Sequence, residues 1–383
     1  MRIQRQQELI QRLIDAGPRL VGMHGEASMV QRASAYTDDG RFHQEVDVLF
    51  ERGPTFVALS STCAQPGDYV TAQVGRVPVA VVRQDDGTLR AFVNACRHRG
   101  APVFDSVVGS IGGRVSCGYH SWTYDRDGRL AARPLTDGAF DDVKLDCSLH
   151  PVVVAEAHGL IYVRAVGGRA IDVNELLGGA EDDLSSFGLE SYVHVESRVN
   201  TWPVNWKLIL DTFTESYHIR TLHKTTLAPY FLSDPSMFDA FGRNFVSIGL
   251  RNTVDREFSK PVAERSVVPY GTIQYFLVPS GLVVHQLDHF EVWRIEPVDV
   301  RTTRTVTSVY SPGDPAAARG RQHYLKNLDL LLKVTGAEDF SLMARIQANL
   351  DSGALPEVVY GRIEPALVYL HRSIENLLST GAD

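Results

Sequence analysis

Two short segments of the sequence each combine one cysteine with one histidine. Cys96 and His98 are separated by one residue, and Cys117 and His120 by two. Two thiolates and two imidazoles can hold a tetrahedral zinc ion, or a 2Fe-2S cluster with both cysteines on one iron and both histidines on the other. The glycine and aromatic neighbours of both segments favour the cluster, because glycine lets backbone amides approach its sulfides closely.

A second set of candidate ligands lies further along the chain. Glu215 and His218 are three residues apart and would share one face of a helix. His218 and His223 are five apart, so a break or a π-type bulge is expected between them. Two histidines with one carboxylate are typical of non-haem Fe(II) sites with positions open for dioxygen. The candidate carboxylate is Asp339, although spacing alone favours equally a role for Asp339 as the cap of a helix.

The elements that must position these residues can be read from hydrophobic patterning over 383 residues, a length sufficient for two or three domains. Short Val-rich runs with Gly, Pro and Asp turns between residues 46 and 166 predict an antiparallel β domain. A Gly-rich linker follows, at residues 167–179. Asn205 is expected to cap a helix whose apolar face runs from Trp206 to Tyr217. The predicted strands are Tyr69–Val74, Val77–Val82, Leu89–Val93, Leu160–Arg164, Phe245–Leu250, Thr272–Val278, Leu282–Leu287, Phe290–Ile295 and Thr302–Tyr310, and the predicted C-terminal helices are His323–Lys333, Asp339–Leu350 and Pro365–Leu378.

Charge and composition exclude several functional classes. The formal net charge is -8 and no long basic block occurs, which argues against a nucleic-acid partner. The N-terminus reads as an amphipathic helix rather than a signal peptide, and no run is apolar enough to span a membrane, so a cytoplasmic location is expected. Four cysteines are too few for a disulfide scaffold, and Cys63 and Cys147 are expected to be buried thiols.

The order and spacing of these residues resemble one family. The motifs C-x-H-R-G from Cys96 and C-x-Y-H-S-W from Cys117 are similar to the Rieske motif of ring-hydroxylating oxygenases. The motif N-W-K from Asn205, leading into E-x-x-H-x-x-x-x-H from Glu215, resembles their catalytic motif. Most relatives have Asp at the position of Glu215, while Glu occurs there in carnitine- and betaine-type oxygenases. The resemblance covers residues 46–378.

This resemblance implies an α+β fold, with an antiparallel β Rieske domain and a catalytic domain whose curved antiparallel sheet is covered by helices (a START-like or helix-grip arrangement). The implied division is an N-terminal helical segment at 1–45 that packs on the catalytic domain, a Rieske domain at 46–166 and a catalytic domain at 167–383.

The resemblance also implies the cofactors, their ligands and an assembly. Head-to-tail homotrimers are expected, with or without a β subunit, in which Glu215 of one chain bridges His120 of its neighbour to His218. Electrons would come from NAD(P)H through a ferredoxin, a reductase or both, because the sequence lacks a G-x-G-x-x-G nucleotide fingerprint. The implied ligands are Cys96, His98, Cys117 and His120 for the 2Fe-2S cluster, and His218, His223 and Asp339 for mononuclear Fe(II).

Arginines near the cluster segments are candidate docking residues for an acidic redox partner, with solvated turns or interface ion pairs as the alternative. They are Arg97, Arg99, Arg126, Arg129 and Arg133.

The implied function is that of a terminal oxygenase that hydroxylates a small molecule with O2. An aromatic or otherwise apolar substrate is expected from four phenylalanines between residues 231 and 245. The alternative is an N- or O-demethylase acting on a methylated amine, betaine or methoxy compound, which Glu215 favours. A more distant alternative is a Rieske electron carrier without oxygenase activity. Candidate pocket residues on the predicted strands are Phe276, His285, Leu287 and His289.

Overall fold

The computed structural model describes residues 1–17, 23–233, 236–313 and 320–381. Within these ranges no helix is long and apolar enough to cross a bilayer. The strands, numbered in chain order, are β1 Met29–Arg32, β2 Thr55–Leu59, β3 Asp68–Val74, β4 Val77–Arg83, β5 Leu89–Val93, β6 Val108–Ser110, β7 Arg114–Ser116, β8 Thr123–Asp125, β9 Leu130–Ala132, β10 Pro151–Ala157, β11 Leu160–Arg164, β12 Tyr192–Trp202, β13 Met237–Phe241, β14 Asn244–Leu250, β15 Gly271–Leu277, β16 Gly281–Gln286, β17 His289–Asp299, β18 Thr302–Pro312 and β19 Glu357–Tyr360.

Helices flank these strands at both ends of the chain and between the two large sheets. The α-helices are α1 Ile3–Ala16, α2 Ser34–Thr37, α3 Asp39–Glu45, α4 Val173–Leu177, α5 Glu181–Ser185, α6 Trp206–Asp211, α7 Ile219–Leu222, α8 Arg321–Val334, α9 Ser341–Asp351 and α10 Pro365–Thr380. Two π-helical segments, Val46–Arg52 and Thr335–Phe340, continue α3 and join α8 to α9. Short 3-10 turns occupy Ser60–Cys63, Leu189–Ser191, Val254–Glu257, Val262–Glu264 and Val268–Tyr270.

The first large sheet and a small neighbouring sheet carry the cysteine and histidine segments. The large sheet is antiparallel, with strand order β2-β11-β10-β5-β4-β3-β6, and the small one has order β7-β8-β9. Cys96 follows β5, and Cys117 lies in the turn between β7 and β8. The prediction of an antiparallel β domain in this part of the chain is confirmed.

The second large sheet is an antiparallel meander, as predicted, in the order β12-β18-β17-β16-β15-β14-β13. Every residue of β14 is buried. One face, which includes Phe245, packs with α6, α9 and α10, while the opposite face, which includes Ile248, packs with α1, α4 and α5. Because both faces are covered, these strands have nearly continuous apolar runs rather than strict alternation.

The Gly-rich stretch predicted as a linker contains a helix. Asp172 caps α4 by accepting hydrogen bonds from the amides of Asn174 and Glu175, and Leu177 is fully buried. Gly178 ends the helix in the left-handed conformation, at φ 60°. The stretch therefore packs on the second large sheet and is part of the fold.

Buried polar contacts fix the position of α6. The Asn205 side chain accepts a hydrogen bond from the Lys207 amide, so the predicted cap is confirmed. Lys207 and Glu45 form a fully buried ion pair at 2.5 Å, and the Trp206 indole donates to the same carboxylate at 2.9 Å. Such a pair holds its two elements in one arrangement, because breaking it would leave a buried charge unpaired.

Candidate metal centres

Each of the two cysteine–histidine segments folds into a turn, and the two turns have the same hydrogen-bond pattern. The Cys96 amide donates to the carbonyl of Ala101, and the Gly100 amide donates back to the Cys96 carbonyl. In the second segment, the Cys117 amide donates to the Trp122 carbonyl, and the Ser121 amide donates to the Cys117 carbonyl. Gly100 and Ser121 occupy equivalent left-handed positions, at φ 78° and 57°. The glycine is explained by this conformation, whereas Ser121 adopts it against the usual preference of L-residues.

The four side chains form a donor set that fits a Rieske cluster. Cys96 and Cys117 are buried, whereas His120 is exposed and His98 is half-buried. The two imidazoles face each other, with 3.1 Å between their Nδ1 atoms. Two thiolates below and two adjacent imidazoles at the surface match a Cys₂His₂ cluster site. All four cysteines are free and buried, as predicted for Cys63 and Cys147.

Aromatic rings fix the exposed side of this site. His98 stacks on the buried Trp122, with ring centroids 5.0 Å apart. Phe140 packs edge-on against both rings. The Tyr124 hydroxyl lies 3.3 Å from the Cys96 sulfur and accepts from the Arg97 amide. These contacts hold the imidazole plane and one sulfur in place.

The five arginines near the site differ in their partners. Arg126 pairs with Asp85, and Arg129 pairs with Asp127 at 3.2 Å. Arg99 lies over the Tyr119 ring, and Arg133 over the Trp122 ring. Arg97 contacts the imidazole of His150. The two ion-paired arginines, Arg126 and Arg129, fit the alternative of ordinary turn contacts. Arg97, Arg99 and Arg133 remain docking candidates.

The second predicted site comes together as three side chains from two elements. One donor atom each from His218, His223 and Asp339 lie within 4.8 Å of one another. The Asp339 Oδ1 atom is 3.0 Å from Nε2 of His223 and 3.6 Å from Nε2 of His218. Ligands in cis positions around an ion at about 2.1 Å are roughly 3 Å apart, so this set fits a 2-His-1-carboxylate iron site.

Each histidine is held on its other nitrogen by a glutamate. Nδ1 of His218 contacts Oε1 of Glu215, and the His218 amide donates to Oε2 at 3.1 Å. Nδ1 of His223 lies 2.6 Å from Oε2 of Glu338, which also accepts from Thr226. Carboxylates at this nitrogen fix the tautomer and the orientation of a metal-bound imidazole. Sequence reasoning did not assign this role to Glu338, although its place beside Asp339 was visible.

Electrostatics at His223 reflect these two carboxylates. Burial lowers the pKa of the imidazole, but the hydrogen bonds and charges of Asp339 and Glu338 outweigh burial and raise the pKa overall. A cation is therefore favoured between these groups.

The backbone of this site differs from the prediction in three respects. Helix α6 ends at Asp211, so Glu215 contacts His218 through a turn rather than along a helix face. Tyr217, expected on the apolar face, is 62% exposed. The backbone between His218 and His223 is the single helical turn α7, with neither a break nor a bulge.

The π-helical turn lies instead at Asp339. The segment Thr335–Phe340 inserts one such turn between α8 and α9, and Asp339 is buried within it. Residue Phe340, which precedes α9, makes no side-chain cap. The reading of Asp339 as a helix cap is therefore wrong. π-turns are frequent at functional sites because they redirect one side chain without ending the helix.

A cavity of about 810 Å³ opens beside these three side chains. One side of the cavity, here called the helical wall, is formed by α7, α8 and the segment after α7, and most of its side chains are apolar. The sheet beneath contributes mainly polar side chains, together with Val284 and Trp293. The wall includes Ile219, Leu227, Phe231, Leu330, Leu331 and Val334, and the sheet contributes Thr272, Gln274, Gln286, His289 and Glu291.

The structure divides the candidate pocket residues. Leu287 and His289 line the cavity, but Phe276 and His285 do not. Phe276 stacks on Phe245 in the core at 4.4 Å between centroids. His285 lies on the opposite face of β16, where it packs against Phe290. Of the four phenylalanines that suggested an apolar substrate, Phe231 alone among the described residues lines the cavity.

Comparison with known families bears on the identity of the chain. The protein-family model described as ring hydroxylating alpha subunit (catalytic domain) matches residues 189–380, which is half of the chain. The Rieske 2Fe-2S domain model matches residues 53–144.

The chain belongs to the ring-hydroxylating oxygenase alpha subunit family. The cofactors of this family's two domains are a Rieske 2Fe-2S cluster and a mononuclear iron, and the two donor sets fit them.

Relatives include oxygenase components with different names. The glycine betaine monooxygenase oxygenase subunit of Chromohalobacter salexigens is 33% identical over 193 residues, which are 50% of this chain and 42% of the relative. The large oxygenase component of the naphthalene 1,2-dioxygenase system of Pseudomonas aeruginosa is 32% identical over 57% of this chain and 49% of the relative. These alignments therefore span less than half of each relative.

Solved structures show the same fold over most of the chain. The quaternary ammonium Rieske monooxygenase CntA in complex with L-carnitine superposes with a TM-score of 0.74 at 23% identity. The match covers 90% of this chain and 94% of CntA. The α+β fold with its two antiparallel sheets is thus that of Rieske oxygenases.

Proposed function

We propose that this chain is the terminal oxygenase component of a Rieske oxygenase system, which hydroxylates a small molecule with O2 and electrons from NAD(P)H. The observation that carries the proposal is the convergence of His218, His223 and Asp339 beside a large cavity. An electron carrier would need only the first donor set. It would leave this triad and cavity unused, so the oxygenase function is favoured.

The proposed ligand assignment follows the donor atoms. Cys96, His98, Cys117 and His120 hold the cluster, and His218, His223 and Asp339 hold the mononuclear iron. When bound, the cluster supplies electrons and the iron activates dioxygen. The domain division 1–45, 46–166 and 167–383 is part of this proposal.

The protein residues orient the ligands and shield the site. Glu215 and Glu338 accept the Nδ1 protons of His218 and His223, so both Nε2 atoms remain free for the iron. Asp339 is buried, and Thr212 donates to its Oδ1 atom at 3.3 Å. The apolar helical wall limits water around the triad, which strengthens electrostatic contacts there.

Assembly as a head-to-tail homotrimer, with or without a β subunit, supplies the proposed electron path. His120 is exposed on the cluster side, and the Glu215 side chain remains 13% exposed while it contacts His218. A neighbour's His120 could then contact the same carboxylate. A ferredoxin or reductase would deliver electrons to the cluster, with Arg97, Arg99 and Arg133 available for docking.

The substrate class is proposed from the cavity. An aromatic or otherwise apolar ring suits the helical wall, whereas the polar sheet calls for an additional polar group. N-demethylation of a methylated amine is the second candidate function. It is favoured by Glu215, by carboxylates of Asp288 and Glu291 in the cavity lining, and by relatives named for glycine betaine and carnitine.

Oxygen consumption tests the proposal. The iron-replete protein is mixed with NADH and a surrogate reductase, and aromatic acids, other aromatics and methylated amines are screened for uptake and hydroxylated or demethylated product. An oxygenase should show substrate-dependent uptake that is lost in Asp339→Ala. A protein that passes electrons but shows no uptake with any substrate would be an electron carrier.

A further inference from the structure

One cationic side chain in the cavity has no anionic partner within the part of the chain that the structure describes. Arg251 follows β14 and lines the cavity beside Gly249. Among the described residues no carboxylate forms an ion pair with it, and its Nε atom is buried without a hydrogen-bond partner. Burial lowers the pKa of Arg251, with no opposing charge to raise it. Arg251 is half-buried. A guanidinium taken partly out of water usually pairs with a carboxylate, because its buried N–H donors otherwise lose their hydrogen bonds to water.

The contact that Arg251 does make leaves its donors free. Its guanidinium carbon lies 4.9 Å from the centroid of the Phe231 ring, and the two residues are bridged through their backbones. Stacking on a ring engages the face of the guanidinium, while the N–H groups point outward in its plane. The Phe231 ring therefore holds the guanidinium in place but accepts none of the hydrogen bonds that its in-plane N–H groups can donate.

The carboxylates of the described cavity lining all have histidine partners. Glu215 contacts His218, and Asp339 contacts His223. Asp288 and Glu291 both contact His289, at 2.8 and 3.4 Å. Each of these carboxylates thus contacts an imidazole and none contacts Arg251, which is the sole arginine or lysine in the described lining.

The sheet separates this cation from Glu291. Arg251 follows β14, whereas Glu291 lies on β17, three strands away in the same sheet. Glu291 aligns across the sheet with Ser247, four residues before Arg251. At about 4.8 Å between strands and about 3.3 Å per residue, their backbones are roughly 20 Å apart. Thr272, Gln274 and Gln286 lie on the strands between them and offer neutral hydrogen-bonding groups.

We propose that Arg251 binds a carboxylate of the substrate and thereby selects small carboxylates, with the carbon to be oxidised placed toward His218, His223 and Asp339. This inference rests on the proposed oxygenase function and names its substrate class. A carboxylate would form paired, charge-assisted hydrogen bonds with the guanidinium fork. The carboxylate could belong to an aromatic acid, as ring hydroxylation would require, or to an N-methylated amino acid, as N-demethylation would require.

Calorimetric titration under argon tests the assignment without turnover. The probes for the iron-replete protein are benzoate and glycine betaine, with benzamide and choline as matched compounds that lack the carboxylate. The proteins are the parent, Arg251→Gln, Arg251→Lys and Arg256→Gln, in which the exposed Arg256 outside the cavity lining is the matched control.

At least one carboxylate should bind the parent and Arg256→Gln equally. Its Kd should rise roughly 10- to 100-fold in Arg251→Gln, because a hydrogen-bonded charge pair is lost. The Kd of Arg251→Lys should lie between those of the parent and Arg251→Gln, because lysine keeps the positive charge but lacks the two parallel N–H donors of the guanidinium. Binding of benzoate would support the aromatic source, and binding of glycine betaine the N-methylated source.

Equal carboxylate affinity in the parent and Arg251→Gln would overturn the inference, and so would failure of both carboxylates to bind the parent. Iron and sulfide are measured on the same samples. Full cofactor content with uptake of oxygen on a neutral substrate would overturn the Arg251 assignment alone, whereas absence of iron would contradict the proposed function itself.

Discussion

Oε2 of Glu338 lies 2.6 Å from Nδ1 of His223, while Oδ1 of the next residue, Asp339, lies 3.0 Å from Nε2 of the same ring. Two adjacent carboxylates thus contact both nitrogens of one imidazole. The π-helical turn at Thr335–Phe340 makes this arrangement possible. Consecutive residues of a regular α-helix point about 100° apart and do not face each other.

Removal of the charge on Glu338 should weaken iron binding. In Glu338→Gln, a neutral amide would replace the carboxylate that holds His223, and we expect a 10- to 100-fold loss of Fe(II) affinity. Competition with a chromogenic chelator measures this, while the visible spectrum of the cluster should not change. Glu357→Gln, at an exposed position on β19, is the control. An unchanged affinity would show that Glu338 does not support His223.

Glu215→Gln should separate metal content from turnover. The amide oxygen can still accept a hydrogen bond from His218, and with Fe(II) supplied in excess of a loss of affinity like that expected for Glu338→Gln, both metal sites should stay filled. The neutral side chain cannot take up a proton or pair with a positively charged imidazole of a neighbouring chain, so turnover should fall roughly 100-fold. Iron analysis and steady-state oxygen uptake check the two parts, with the exposed Glu175→Gln as control. Normal turnover would refute the bridging role.

Gly249→Leu should narrow the cavity without unfolding the protein. A Cβ atom at Gly249 meets no heavy atom within 4 Å, and the residue lines the cavity. The added side chain would occupy space between β14 and the helical wall, so the KM for a ring substrate should rise roughly tenfold, or about 1.4 kcal/mol. Gly168→Leu adds the same group at an open position outside the lining. An unchanged KM with a normal melting temperature would place the substrate elsewhere.

Stability should decrease in mild acid because of His194. Burial, the largest effect, lowers the pKa of this imidazole from 6.5 to about 4. At pH 7.5 the ring is neutral in both states and contributes nothing; below pH 6.5 the unfolded chain takes up a proton that the folded chain does not. Between pH 7.5 and 5.5 this group should cost about 1.4 kcal/mol of unfolding free energy.

His194→Gln checks this prediction, since glutamine does not titrate and can still contact Ser197. Denaturant unfolding at the two pH values should show a smaller loss in the variant than in the parent by about that amount. Equal losses in both proteins would mean that His194 is protonated in the folded state or exposed in it.

Much of the fold follows from local patterns in the sequence. The predicted strand Leu89–Val93 is found with the same bounds, and the predicted strand Val77–Val82 is extended by one residue, to Arg83. Val-rich runs between turn residues specify such strands locally. The predicted ligand sets also come together, because family motifs fix both the order and the spacing of these residues.

Features set by tertiary packing escaped the patterns. The π-helical turn at Asp339 has no local signature, and helical spacing alone extended α6 as far as Tyr217. The face of His285 follows from strand alternation, which places Val284 and Gln286 in the cavity and His285 behind it. Which of the alternating residues face the cavity is set by tertiary packing of β16, and the sequence pattern alone did not determine it. Arg251 gave no signal, since its lack of a partner is a property of the folded chain.

Iron and acid-labile sulfide content measures the central claim most directly. The purified parent should contain about three irons and about two sulfides per chain, as one 2Fe-2S cluster and one mononuclear ion require. Asp339→Ala should keep the sulfide and the cluster spectrum but retain about two irons. A colourless protein that holds zinc without sulfide would contradict the account.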